Sequence, residues 1–221
     1  RDSMHTTLAE LTEHKIISII RGVTSVDILP VANALYRGGI RFIEVTFNAS
    51  SLLASDDTLQ SIRLLRKKMG DKIHIGAGTV LTPVQVELAA DAGAEYIISP
   101  DMNPDVIHHT KELGLLSLPG ALTPTEIQAA WAAGADMVKV FPASLLGPAY
   151  FKALKAPLSQ VKLAAVGGVD ETNIRDFLKS GADGLGIGGC LVNNDRVSRK
   201  AWNELERSAC NFVGAICQPE K

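Results

Sequence analysis

Lys139 and Glu44 are the residues whose types and settings point to chemistry. Lys139 interrupts the apolar run Met137-Val138-Lys139-Val140-Phe141, and Glu44 interrupts Phe42-Ile43-Glu44-Val45-Thr46. Strand geometry puts Lys139 on one face with Met137 and Phe141, and Glu44 on one face with Phe42 and Thr46. An ammonium removed from water loses proton affinity, and the neutral amine is a nucleophile toward carbonyl carbon. A mid-strand carboxylate needs a partner or a raised pKa, which suits a general base. Plainer readings fit the same pattern. A lysine can snorkel out at a strand end, and the two residues can form a structural ion pair.

Two glycine turns are the third feature. Gly167-Gly168 follows one apolar run, and Gly186-Ile187-Gly188-Gly189 closes another. Glycines let backbone N–H groups approach an anion closely. Tight packing with no ligand is the alternative. Gly184 to Gly189 also matches GxGxxG, but that dinucleotide fingerprint belongs early in a βαβ unit with an acidic residue about 20 positions on.

The elements that must position these residues repeat along the chain. Short apolar runs at Ile16–Arg21, Phe42–Phe47, His74–Ala77, Tyr96–Ser99, Leu115–Leu118, Met137–Phe141, Leu163–Val166 and Gly184–Ile187 read as strands buried on both faces. Helices stand between them. Thr82-Pro83-Val84-Gln85 and Thr123-Pro124-Thr125-Glu126 read as capping boxes with Pro at the first helical position, and Asn103-Pro104 as a third cap. Ile28, Val31, Ala32 and Leu35 form one apolar stripe. Glycines at 39, 70, 93, 114, 134 and 181 read as helix C-caps. The expectation is an α/β fold, a single-domain (β/α)₈ TIM barrel, with an extra N-terminal helix over Met4–Glu13 and a C-terminal helix over Arg196–Cys217. A doubly wound open sheet is the alternative. In a barrel, catalytic residues collect at the C-terminal strand ends, and the turns after strands 7 and 8 often hold phosphate.

Composition narrows the function classes. The chain has 221 residues, 46% hydrophobic and 21% charged, enough for a full core. A net charge of −2 gives no electrostatic support for a nucleic-acid partner. No apolar run approaches the roughly 18 residues of a membrane helix. Three cysteines without a CxxC pair suggest a reducing, cytoplasmic setting, and no leader pattern opens the chain. Cys210 and Cys217 read as small apolar packing residues. The histidines, His5, His14, His74, His108 and His109, offer no cluster with metal-ligand spacing, so no metal or other cofactor is expected.

Gly76-Ala77-Gly78-Thr79-Val80, Ile98-Ser99-Pro100, Val138-Lys139-Val140-Phe141-Pro142-Ala143, Ala165-Val166-Gly167-Gly168-Val169 and Ile187-Gly188-Gly189 occur in that order, with Ile43-Glu44-Val45-Thr46 before them. As an ordered set they resemble the 2-keto-3-deoxy-6-phosphogluconate / 4-hydroxy-2-oxoglutarate aldolase family over about residues 8 to 195. The resemblance implies a metal-free, trimeric class I aldolase that releases pyruvate and an aldehyde from a small-molecule substrate. It implies Lys139 as the Schiff-base lysine and Glu44 as the acid/base. It places Thr79, Pro100 and Phe141 around the pyruvate unit, and Gly167, Gly168, Gly188 and Gly189 around a phosphate. Three positions depart from the common pattern: Asn48 for an arginine, Val166 for a threonine and Cys190 for a serine. Asn48, Val166 and the Ile20-Arg21-Gly22 segment resemble the phosphogalactonate branch, in which the arginine at the end of the first strand contacts substrate. Cys190, in the phosphate-binding set by the same resemblance, weakens phosphate binding or alters the far end of the ligand. A non-catalytic phosphate-binding barrel is the competing function. A buried amine together with a carboxylate argues against it, because binding alone needs neither.

Overall fold

The computed structural model describes residues 2–48 and 52–217. The described residues form nine strands: β1 (Ile16–Ile20), β2 (Phe42–Thr46), β3 (His74–Gly78), β4 (Tyr96–Ile98), β5 (Leu116–Leu118), β6 (Gly120–Ala121), β7 (Val138–Val140), β8 (Leu163–Val166) and β9 (Gly184–Ile187). The helices are α1 (Asp2–His14), α2 (Ile28–Arg37), α3 (Leu52–Met69), α4 (Pro83–Ala92), α5 (Pro104–Glu112), α6 (Pro124–Ala132), α7 (Gly147–Lys155), α8 (Ile174–Lys179), α9 (Asn194–Ser198) and α10 (Trp202–Cys217).

Every strand pair is parallel, and the order is β5-β4-β3-β2-β1-β9-β8-β7-β6. Neighbours in space are neighbours in sequence except where β1 meets β9, which is barrel closure and not a doubly wound order. The eight expected strands are all present. Pro119 has no N–H to give, and it splits the fifth into β5 and β6. The gap is bridged where Asp136 N–H donates to Ser117 O at 2.9 Å and Lys139 N–H to Pro119 O at 2.8 Å.

Two apolar layers explain the burial of both strand faces. Ile43, Val45, Val138 and Val140 join the helix residues Ile28, Val31, Ala32 and Leu35 in the outer layer. Ile17, Phe42, Tyr96, Leu116, Met137 and Ala164 fill the barrel interior, and Leu11 of α1 closes its bottom. Alternation then assigns Glu44 and Lys139 to the interior, because Phe42 and Met137 lie there.

The caps form as expected. Thr82 and Thr123 each accept from the N3 backbone N–H through the side chain and donate their own backbone N–H to the N3 side chain, and Asn103 accepts from Asp105 N–H. Thr123→Ala should cost about 1 kcal/mol. For a domain of this size that lowers the thermal midpoint by about 2–4 °C, which calorimetry checks.

Three expectations are corrected. The stretch Arg196–Cys217 is not one helix: Lys200 adopts a left-handed φ of 53° and separates α9 from α10. Gly70 is not a left-handed cap, unlike Gly39, Gly93, Gly114, Gly134 and Gly181. Cys210 and Cys217 are exposed and not packed.

Candidate active site

The C-terminal ends of the strands deliver the candidate residues to one place. Arg21 follows β1, Thr79 follows β3, Pro100 lies just past β4, Phe141 follows β7, Gly167 follows β8 and Gly188 follows β9. With Lys139, Val166, Gly168, Gly189 and Cys190 they line a cavity of about 360 Å³.

Lys139 reaches this cavity from inside the barrel and is 6% exposed. Its Nζ stands over the Phe141 ring, 4.8 Å from the centroid. Burial holds its pKa below the usual lysine range; the Glu44 carboxylate opposes that shift and Arg21 assists it. Glu44 is 2% exposed. Burial pushes its carboxyl up, against the pull of Lys139 and Arg21. The charges therefore sense each other, yet no hydrogen bond or ion pair joins them directly among the described residues. Lys139 lines the cavity, whereas Glu44 is buried and is not among the residues that line it.

Glycines make room for this arrangement. Gly76 stands between Glu44 and Tyr96 in the register. A Cβ there would overlap the Tyr96 ring, whose hydroxyl donates to Ile43 O at 2.7 Å. A Cβ on Gly78 would overlap Glu44 Oε1. Gly78→Ala should therefore displace the carboxylate. A shift of about 1 Å in a reacting group can cost on the order of 10²-fold in rate, which steady-state kinetics would show. Thr79, next in the chain, is left-handed at φ 57°, a strained setting for a β-branched residue, and its Oγ1 accepts from Arg21 Nη2 at 3.4 Å.

Asn48 is not brought onto the Lys139 cavity. It lines an adjoining cavity of about 570 Å³ with Thr24, Phe47, Asp57 and Thr58; the two cavities share Arg21 and Thr79. The structure adds Ile19, Val169, Asp170 and Gly186 to the Lys139 cavity. Asp170, directly after the Gly167-Gly168-Val169 turn, could have been found from that adjacency; Ile19 carried no signal. His74 lies at the opposite end of the barrel between Glu10 (2.6 Å) and Glu95 (3.2 Å). Among the described residues no group of three or more His, Cys, Asp or Glu side chains could hold a metal.

A nearly closed parallel barrel with a dry lysine lining its C-terminal cavity and a dry carboxylate buried on the same interior face suits an aldolase that works through an imine. The chain belongs to the KDPG and KHG aldolase family, whose model matches residues 8–208. A probable 2-dehydro-3-deoxy-6-phosphogalactonate aldolase of Rhizobium meliloti (strain 1021) is 41% identical over 81% of this chain and 82% of its own. A solved structure described as native KDPGal is 36% identical, with a TM-score of 0.82 over 91% of this chain and 93% of that one. The KDPG aldolase of Legionella pneumophila, solved with pyruvate captured as a covalent carbinolamine, is 28% identical, with a TM-score of 0.81 over 90% and 93% of the two chains. The protein is an aldolase that releases pyruvate and an aldehyde.

Proposed function

We propose that Lys139 and Glu44 perform the cleavage of a 2-keto-3-deoxy sugar acid. Neutral Lys139 adds to the C2 ketone, and the ketone oxygen leaves as water. The iminium draws electrons from the C3–C4 bond as Glu44 removes the C4 hydroxyl proton. That bond breaks, C4 departs as an aldehyde, and the pair remains on Lys139 as a pyruvate enamine. Glu44 returns its proton to C3, and water releases pyruvate. The observation that carries this reading is the pairing of two dry, mutually sensed groups, Lys139 and Glu44, on one interior face.

The other residues take positioning roles. Arg21 and Thr79 hold the substrate carboxylate, one bond from the imine carbon. Pro100, Phe141 and Val166 enclose the pyruvate unit. Asn48 acts across the Arg21–Thr79 pair. Gly167, Gly168, Gly188, Gly189 and Cys190 face the far end of the substrate. The relative from Rhizobium meliloti and the native KDPGal structure support the galactonate configuration at C4. Pyruvate release from gluconate-type and galactonate-type acids and from 4-hydroxy-2-oxoglutarate tests this, with the galactonate type expected to give the highest kcat/KM. The family resemblance supports a cytoplasmic homotrimer, whose stoichiometry sedimentation checks.

A further inference from the structure

Glycine leaves two places without a side chain on the interior face of β3. Gly76 and Gly78 stand two residues apart in that strand, so they share the face. Tyr96 reaches across from β4 into the first place, and Glu44 reaches across from β2 into the second. A Cβ at Gly76 would overlap the Tyr96 ring, and one at Gly78 would overlap the Glu44 carboxyl. In the register Glu44 pairs with Gly76, and Gly76 with Tyr96, so these three form one row across the sheet. Glu44 nevertheless lies over Gly78, whose own partner on β2 is Thr46. Its carboxyl is therefore carried one interior position toward the C-terminal strand ends. Thr79, the residue after Gly78, lines the Lys139 cavity.

Tyr96 accounts for that displacement. Its fully buried ring fills the place directly opposite Glu44, so the carboxyl cannot settle there. Its hydroxyl donates to Ile43 O at 2.7 Å. The side chain thus spans from β4 over β3 to β2 and ties down the peptide group that leads into Glu44. Phe42, the interior residue of β2 before Glu44, packs tilted against it with ring centroids 6.0 Å apart. Burial pushes the phenol well above the usual tyrosine range, and the Glu44 and Glu95 carboxylates add to the push, so the hydroxyl keeps the proton that it donates.

We propose that Tyr96 is a positioning residue: its ring, anchored to β2 through the hydroxyl, holds the Glu44 carboxyl at the cavity end of the barrel. Tyr96 is not among the residues that line the cavity, so it acts through Glu44. The inference rests on the reading of Glu44 as the acid/base and says what puts that carboxyl within reach.

Pyruvate alone tests it. The pyruvate imine on Lys139 loses a C3 proton to Glu44 and becomes the enamine. In heavy water Glu44 trades that proton for a deuteron and returns it to C3, so the methyl group exchanges, which proton NMR follows. Borohydride trapping of the same imine reads Lys139 without Glu44. In the full-length protein, Tyr96→Leu should slow exchange by about tenfold, less than the roughly 10²-fold that a 1 Å misplacement can cost. Tyr96→Phe keeps the ring and loses only the anchor; it should slow exchange by about threefold, and it decides the matter if Tyr96→Leu does not fold. Trapping should stay at the wild-type level in both, whereas a tyrosine needed only for the fold would lower trapping and exchange together. Wild-type exchange in the folded variants, or trapping that falls in step with exchange, overturns the proposal. Glu44→Gln separates the two levels. If it leaves exchange intact, the acid/base reading and this proposal fail together; if it stops exchange while the Tyr96 variants behave as wild type, only the role of Tyr96 fails.

Discussion

Lys139→Ala should abolish turnover, with a loss on the order of 10⁴-fold or more, as expected when a nucleophile is removed from a site whose other groups act as one unit with it. The amine has no replacement within the cavity. Arg21, the other cation lining it, has a guanidinium that stays protonated. The fold should survive. Lys139 and Glu44 are the charged heads inside a largely apolar barrel interior, and removing the lysine relieves one desolvated charge. Circular dichroism and thermal unfolding alongside the assay separate lost chemistry from lost structure. Lys139→Ala with near wild-type cleavage would remove the mechanism altogether.

Glu44→Gln should lower kcat by about 10²- to 10⁴-fold, the range that a positioned proton shuttle contributes. The effect on Lys139 runs the other way. The Glu44 carboxylate raises the lysine pKa against the larger effect of burial, so glutamine lets it fall further. In the wild type, kcat/KM should decline as pH falls through the depressed pKa and the amine is protonated. In Glu44→Gln that acid limb should move to lower pH, while the plateau drops. A slow, poorly turning-over variant that still forms the imine is the combined signature. An acid limb that stays in place or moves upward would show that the two groups do not share a field. Because they titrate together, the limb reports the pair and not one residue.

Much of this was legible in the chain itself. Continuous apolar strands and Thr-Pro-x-Gln/Glu caps are local signals, and each produced the expected element. Lys139 and Glu44 stood out because charge is rare in a strand buried on both faces, and strand alternation alone puts each on the Met137 or Phe42 face. What escaped was set by distant contacts. The break at Lys200 has no Gly or Pro to announce it; only the left-handed backbone marks it. The need for glycine at 76 and 78 comes from Tyr96 and Glu44 on neighbouring strands, which spacing along one strand does not reveal. Asn48 follows β2 closely in sequence, yet it falls into the adjoining cavity. Asp170 reads locally as a turn-forming residue, which it is; only the closure of β8 against β9 turns it into a wall of the cavity.

The central claim is that Lys139 is dry enough to bond covalently with a keto acid. Reduction of the protein with borohydride in the presence of pyruvate, followed by peptide mass spectrometry, tests it directly. The account requires one reduced pyruvate per chain, located on Lys139, and none in Lys139→Ala. A label spread over exposed lysines, or a wild-type chain of unchanged mass, would contradict it.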